Sequence, residues 1–475
     1  MWELNEFGDK IALLNDEGMC VTYSELDGIV RLITDMVKER CLVFVMCKNT
    51  IGSMVGYISF IENKVVPVLL NSKMDQQLTT DLIHRYKPSL LWIPREDVDL
   101  YRYCTASVLY ECFDYLLIQT NFSKKYELYH ELGLLLTTSG STGSPKFVRQ
   151  SYENISENAK SIVKYLELDS SERPITTLPM NYTYGLSIIN SHLMVGATIL
   201  CTEKGLMQKE FWNFFKQEQA TSFGGVPYTY EMLDRLRFGR MDLPSLRYMT
   251  QAGGKLTEKL HQKFAELAKT KNIRFVVMYG QCEATARMGY LPAGMAIKKC
   301  GSMGIAIPGG QFLLIDEAGN EISEPDKVGE LVYKGQNVTL GYAESGEDLC
   351  KGDERDGILF TGDMAKRDSD GFYYITGRKK RFLKIYGNRV NLDEVDRMLK
   401  GHFQNIDCAS TGIDDHMYLF VTDPSVVDAV KHFIVEKTKL NSIAFQVIVI
   451  DKIPQNDAGK TLYKELERYY LDVNG

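Results

Sequence analysis

Short apolar runs alternate with amphipathic stretches through the first half of the chain, and this alternation constrains the fold more than any other feature. LVFVMC (42–47), KVVPVLL (64–70), ATILCT (197–202), TSFGGV (221–226) and IRFVVMYG (273–280) each have the length and branched composition of a buried strand. Between them lie helical patterns such as VTYSELDGIVRLITDMVKE (21–39), for which Ser24 is the expected N-cap, and DQQLTTDLIHRY (75–86). Strand and helix in alternation predict an α/β fold with mainly parallel strands. Beyond about residue 300 the texture changes. IPGGQFLLIDEAGNEI (307–322), GELVYKG (329–335) and GFYYITG (371–377) read as antiparallel strands joined by turns. The final part is a small α+β pattern, with LDEVDRMLKGH (392–402) helical and FQVIVID (445–451) a strand.

At 475 residues the chain is too long for one small core and calls for two or three packed units. Hydrophobic residues make up 44% and charged residues 25%, which is globular composition. The net charge of −7 argues against coating nucleic acid by bulk electrostatics. No apolar run reaches the roughly 18 residues a membrane helix needs. MWELNEFGDK lacks the basic start and apolar stretch of a signal peptide. The ten cysteines include no C-x-x-C pair and only seven histidines are present, so a zinc cluster has little support. A reduced, cytoplasmic protein is expected. The solvated basic run GRKKR (377–381) separates two compact patterns and marks a domain boundary.

LLLTTSGSTGSPKFVRQ (134–150) breaks from an apolar strand into a run of Ser, Thr and Gly, then Pro145 and Lys146. Main-chain N–H groups grip phosphate oxygens only where side chains stay clear, and hydroxyls and a lysine add donors and charge. Read alone, the segment is either a phosphate cradle or a flexible loop. Phe147 follows Lys146, so the spacing of a P-loop kinase or GTPase is not met.

The loop resembles the signature of the acyl-adenylating enzymes: acyl- and aryl-CoA synthetases, adenylation domains of nonribosomal peptide synthetases, and firefly luciferase. Six further pieces stand in that family's order. They are LPMNYTYGLSIINSHLMVGA (178–197), QAGGKL (251–256), MYGQCEAT (278–285), GELVYKGQNVTLGY (329–342), the stretch LFTGDMAKRDSDGFYYITGRKKR running on to KIYGNRVNLDEVD (359–396), and PQNDAGKTLYKEL (454–466). The resemblance runs nearly end to end. It implies a large N-terminal domain (1–379) of α/β subdomains with a small β-barrel-like subdomain. A small mobile α+β domain (380–475) would turn about a hinge at Lys380. The implied activity is ATP-dependent activation of a carboxylic acid to an acyl-adenylate with release of pyrophosphate, then transfer to the thiol of CoA.

By that resemblance Thr138, Ser139, Gly140, Ser141, Thr142, Gly143 and Lys146 hold the β- and γ-phosphates. Gly253 and Gly254 lie beside adenine, Tyr279 stacks on it, and Gly280 and Ile375 complete the nucleotide site. Glu283 binds Mg²⁺, which favours a carboxylate with phosphate oxygens and retained waters. Asp363 accepts the ribose hydroxyls, and Arg378 sits by ribose and phosphate. Lys460 bridges the acid's carboxylate and the α-phosphate, where two anions must meet. A second face carrying Lys384 to Asn388 would flank the incoming thiol. Taken singly, Asp363 reads as a turn residue, Arg378 and Lys460 as surface charges, and Gly253, Gly254 and Tyr279 as a strand-end turn beside a core tyrosine.

Three positions depart from the family. Phe147 replaces a glycine, Cys282 stands where threonine precedes the magnesium-binding glutamate, and Tyr463 replaces an arginine after the catalytic lysine. A thiol donates more weakly than a hydroxyl, so the phosphate contact of Cys282 would weaken. Tyr182, Tyr184 and Arg287 are the expected substrate-pocket residues. Amino-acid-activating relatives place an aspartate near Asn181 and Tyr182, and this chain has none there, so a fatty or aryl acid is expected over an α-amino acid. Arg287 could meet a second carboxylate on the substrate or serve as a structural ion-pair partner. The basic run near Lys379, Lys380, Arg381 and Lys384 suits CoA phosphates or an acidic carrier protein. The competing readings are an enzyme that loads a separate carrier protein's phosphopantetheine, a non-catalytic binder of nucleotide or adenylate, and a kinase-like ATPase.

Overall fold

The structure, a computed structural model, describes residues 1–137, 146–379, 381–386, 388–403, 406–438, 440–456 and 459–471. The expected loop residues Thr138, Ser139, Gly140, Ser141, Thr142 and Gly143, and the expected hinge Lys380, lie outside them. Contacts divide the chain into two compact units. One comprises Met1–Gln311 with Tyr333–Leu359, the other Phe312–Val332 with Phe360–Gly475.

The first unit holds two large mixed sheets and a three-stranded one in which Ile11–Asn15 pairs with Ile199–Cys201 and Cys20–Thr22. In the eight-stranded sheet, Leu42–Cys47 pairs in parallel with Val66–Asn71 and Leu90–Pro94, and Val66–Asn71 in parallel with Leu132–Thr137. Every residue of Leu42–Cys47 is buried, as a strand covered on both faces requires. The edges are antiparallel, through Tyr115–Thr120 and Thr105–Cys112 on one side and Phe147–Ser151 and Gly341–Ala343 on the other. The five-stranded sheet repeats this plan. Ser222–Gly225, Tyr248–Gln251 and Arg274–Tyr279 run parallel, and two short antiparallel strands follow. The expectation of mainly parallel strands therefore holds for the sheet centres only. Some edge strands come from short connections, as Thr105–Cys112 with Tyr115–Thr120, and others from distant segments, as Gly341–Ala343 with Phe147–Ser151.

The first helix is Tyr23–Met36, capped by Thr22 rather than by Ser24 as the sequence suggested. Thr22 Oγ1 accepts from the Glu25 amide at 3.1 Å, and the Glu25 carboxylate accepts from the Thr22 amide at 2.8 Å. This reciprocal box favours Glu or Gln three residues on, which Thr22 has in Glu25, whereas Ser24 has the shorter Asp27. Ser151 ends the strand Phe147–Ser151 and caps the next helix, Tyr152–Leu166, through a similar box with Asn154.

The helix Thr183–Leu193 is buried on nearly every side. Its His192 is 1% exposed. Nδ1–H donates to the Ile188 carbonyl at 2.7 Å, and Nε2 accepts from the Tyr248 hydroxyl at 2.8 Å, so the ring is neutral. Burial, with Arg287 adding to it, lowers its pKa from 6.5 to about 4 against the opposing pull of the Ile188 carbonyl. A folded-state pKa below the unfolded value means that the unfolded chain takes up the proton first as pH falls. His192 thus supports the fold above pH 6.5 and withdraws that support down to about pH 4. His192→Gln, which keeps a hydrogen-bonding side chain without the titration, is expected to flatten that part of the thermal-stability curve, read by melting temperature against pH.

The second unit contains a four-stranded sheet in the order Gln311–Ile315, Gly329–Lys334, Ile358–Arg367, Tyr373–Arg378. It also holds the hairpin Phe382–Ile385 with Asn388–Asn391 and the three-stranded sheet Cys408–Ile413, His416–Val421, Phe445–Val449. Leu392–His402, Val427–Thr438 and Tyr463–Leu471 are its helices. Leu383, Ile385, Val395, Leu399, Leu419 and Ile434 are among its core side chains.

Candidate active site

In the first unit, the antiparallel register pairs Thr137 with Phe147. Lys146, the first described residue after the Ser/Thr/Gly run, sets its ammonium 3.6 Å from the centre of the Tyr342 ring. The Arg355 guanidinium lies 4.7 Å from the same ring. Tyr342 donates its hydroxyl to Glu283 Oε1 at 2.8 Å. A carboxylate, a phenol and two cations are thereby gathered where the loop ends. Tyr342 stands here because its strand Gly341–Ala343 pairs with Phe147–Ser151, and buried Arg149 binds the carbonyls of Leu340 and Tyr342.

Glu283 belongs to a short turn, Cys282–Ala284, after the strand Arg274–Tyr279. Its main-chain carbonyl accepts from the Thr339 hydroxyl and from Arg355 Nη1, each at 3.0 Å, so the position of the carboxylate is fixed independently of its charge. Thr285 (φ 51) and Ala286 (φ 89) follow in left-handed conformations that L residues seldom adopt. Gly280 is required here, because a Cβ on it would lie 1.5 Å from the Ala286 carbonyl oxygen. Among the described residues no group of three or more His, Cys, Asp or Glu could hold a metal. A single carboxylate that leaves the other positions to phosphate oxygens and water suits Mg²⁺ and not zinc.

Tyr279 ends its strand, and Gln281 Nε2 donates to its hydroxyl at 3.3 Å. Cys282 is buried and lies within electrostatic reach of Tyr182. Gly253 (φ 82) faces the Tyr182 hydroxyl, which a Cβ would approach to 2.6 Å, and Gly254 packs against Pro227. The Tyr182 and Tyr184 rings stand edge to face at 6.3 Å, and the Arg287 guanidinium lies 5.0 Å from the Tyr184 ring. Tyr182, Tyr184, Gly253 and Arg287 are thus joined in one run of contacts. Arg287 has no ion-pair partner among the described residues, so the structural ion-pair reading of it fails. Phe147, the replaced glycine, is fully buried against Tyr86 and Phe44.

In the second unit, antiparallel register sets Asp363 opposite Arg378, and Arg378 Nε meets Asp363 Oδ1 at 2.6 Å. Asp363 is 3% exposed, while Ile375 is half-buried on the same strand as Arg378. Lys460 closes a tight loop. Its amide donates to Asn456 Oδ1 and its carbonyl accepts from the Asn456 amide, both at 2.9 Å, and Gln455 bridges Thr461. Three residues on, Tyr463 donates its hydroxyl to Asp396 Oδ2 at 2.8 Å, and the Arg381 guanidinium covers its ring at 3.4 Å. Arg381 also pairs with Asp393 at 2.8 Å and Asp396 at 3.0 Å. Burial raises the Asp396 pKa, and Arg381 opposes it first, ahead of Ser410 and Tyr463. The tyrosine that replaces the family's arginine is therefore anchored by two charged partners.

Sequence reasoning gave no role to Tyr342, Arg355 or Thr339, and it counted Arg381 in a basic run for CoA phosphates or an acidic carrier, whereas Arg381 pairs with Asp393 and Asp396 and covers Tyr463. Tyr342 closes a quoted motif and could have been singled out; Arg355 carries no local signal.

The first unit is a mixed α/β fold in which Glu283, Tyr342, Lys146 and Arg355 are linked by contacts. The chain belongs to the AMP-binding enzyme family, whose description matches residues 2–343. It is 28% identical over 347 residues to the peroxisomal OPC-8:0-CoA ligase 1 of Arabidopsis thaliana, covering 70% of this chain and 63% of that one. Oxalate–CoA ligase of Saccharomyces cerevisiae is 27% identical over 346 residues, with 70% and 62% covered. The matched region thus spans less than two thirds of either relative. In three dimensions the chain resembles o-succinylbenzoate CoA synthetase of Bacillus subtilis bound to its acyl-adenylate, with a TM-score of 0.77 at 21% identity over 98% and 97% of the two chains. That likeness establishes the fold. No described helix is long and apolar enough to cross a membrane.

Proposed function

We propose that this protein is an AMP-forming acid–thiol ligase. It joins a carboxylic acid to the α-phosphate of ATP, releases pyrophosphate, and passes the acyl group from the adenylate to the thiol of CoA. One observation carries the reading: Glu283 accepts from the Tyr342 hydroxyl, and the Tyr342 ring has Lys146, the first described residue after the Ser/Thr/Gly run, and Arg355 against it. Glu283 would hold Mg²⁺, which when bound screens the triphosphate charge. Lys146 and the loop Thr138–Gly143 take the β- and γ-phosphates. Gly253, Gly254, Tyr279 and Gly280 border the base, Cys282 makes a weak phosphate contact, and Ile375 lies beside the nucleotide. Asp363 and Arg378 take the ribose, and Lys460 is the cation between carboxylate and α-phosphate. Tyr182, Tyr184 and Arg287 take the acid. We place the two catalytic bodies at 1–379 and 380–475, with Lys380 as hinge between the half-reactions.

The test is ATP–pyrophosphate exchange across a panel of carboxylic acids, followed by addition of CoA or of a phosphopantetheine-bearing carrier to the best acid. Acid-dependent exchange with AMP as product supports the reading. Acid-independent release of ADP contradicts it.

A further inference from the structure

Arg287 is among the largest fully buried side chains of the chain, yet no carboxylate pairs with it among the described residues. Its Nε donates to Ser187 Oγ at 3.0 Å, and Nη1 to the Tyr165 hydroxyl at 2.9 Å and to Met278 Sδ at 3.0 Å. The Tyr184 ring lies beside it. All four neighbours are neutral. Buried guanidinium groups are ordinarily paired, because neutral acceptors and a ring face do not replace lost hydration. The other buried arginines named so far do have acidic partners: Arg149 meets Glu354, and Arg381 meets Asp393 and Asp396.

The surroundings of Arg287 hold further polar capacity. A small cavity beside Ser187 is lined also by Gln150, Asn158, Thr183 and Thr285. In that wall Gln150 Nε2 and Asn158 Oδ1 are buried without hydrogen-bond partners. Placed in the run Gly253, Tyr182, Tyr184, Arg287, the guanidinium stands two aromatic rings from the glycine pair. Tyr165, whose hydroxyl accepts from Arg287, stacks on Tyr290 with ring centres 4.4 Å apart.

We propose that Arg287 is the recognition residue for a second carboxylate on the acid, so that the substrate is a short dicarboxylic acid activated at one end. This inference rests on the ligase reading above and narrows its fatty or aryl expectation. The distal carboxylate accepts from the guanidinium.

The experiment compares acid-dependent exchange for malonate, succinate and glutarate with butyrate, octanoate and benzoate, in the wild type, Arg287→Met and Arg287→Lys. The wild type is expected to favour one of the dicarboxylates by about 10²-fold or more in kcat/KM, the scale of a charge-assisted contact. Arg287→Met should lower the ratio of kcat/KM for the dicarboxylate over that for butyrate by about that factor. Arg287→Lys keeps the charge without the fork and should fall between. Melting temperature supplies the second readout. The preferred dicarboxylate should raise it in the wild type and not in Arg287→Met, and the unliganded Met variant should melt no lower than the wild type. If Arg287→Met does not fold, or melts lower and loses all acids equally, Arg287 is structural and the proposal is overturned. Exchange with monocarboxylates alone overturns this inference and leaves the ligase reading standing; exchange with no acid overturns both.

Discussion

Replacing Lys460 by alanine is expected to lower carboxylate-dependent ATP–pyrophosphate exchange by about 10²–10³-fold, with stability changed by less than about 0.5 kcal/mol. The reason is the encounter it serves. A carboxylate attacking the α-phosphorus brings two anions together, and a cation aimed at the developing charge is the largest single aid the protein can offer. The loop that presents Lys460 is held by the Asn456 side chain and by main-chain bonds, so truncating the lysine leaves the loop in place. Transfer of the acyl group from a supplied acyl-adenylate to CoA joins no such pair of anions and should persist in the variant. Loss of both half-reactions would instead mean that the loop, and not the charge, matters.

The second large effect is expected at Glu283. Glu283→Gln should reduce exchange by about 10²-fold or more and raise the Mg²⁺ concentration needed for half-maximal rate, measured by titrating Mg²⁺ at fixed ATP. The amide can still accept from the Tyr342 hydroxyl, and the main-chain carbonyl keeps its bonds from Thr339 and Arg355. The fold and the turn are therefore retained while one negative charge is lost. An unchanged Mg²⁺ requirement with full activity would remove Glu283 from the metal-binding role.

Much of the architecture was legible because it depends on local pattern. Leu42–Cys47 was read at its true bounds from six consecutive apolar residues. The helix at 21–39 was right in kind but begins at Tyr23 and ends at Met36, since its limits depend on a cap and not on periodicity. The antiparallel sheet edges escaped because pairing between distant strands leaves no mark in either strand alone. The same holds for the site. Glu283 stood in a recognisable motif, but its hold on Tyr342, 59 residues away, and on Arg355, 72 away, is set by tertiary packing. Arg287 shows the limit most plainly. Its position hinted at an acid contact, but only packing reveals a buried charge with neutral neighbours. Tyr463 is the converse case. It replaces the family's arginine, and the fold ties it to Asp396 and Arg381.

The route of one oxygen atom tests the central claim most directly. If the acid attacks the α-phosphorus and a thiol then attacks the acyl carbon, the bridging oxygen leaves with the nucleotide. An acid labelled with heavy oxygen in its carboxylate should therefore yield AMP carrying one labelled oxygen by mass spectrometry, with the other in the thioester. Label in inorganic phosphate alongside ADP, or AMP with no label, would contradict the account.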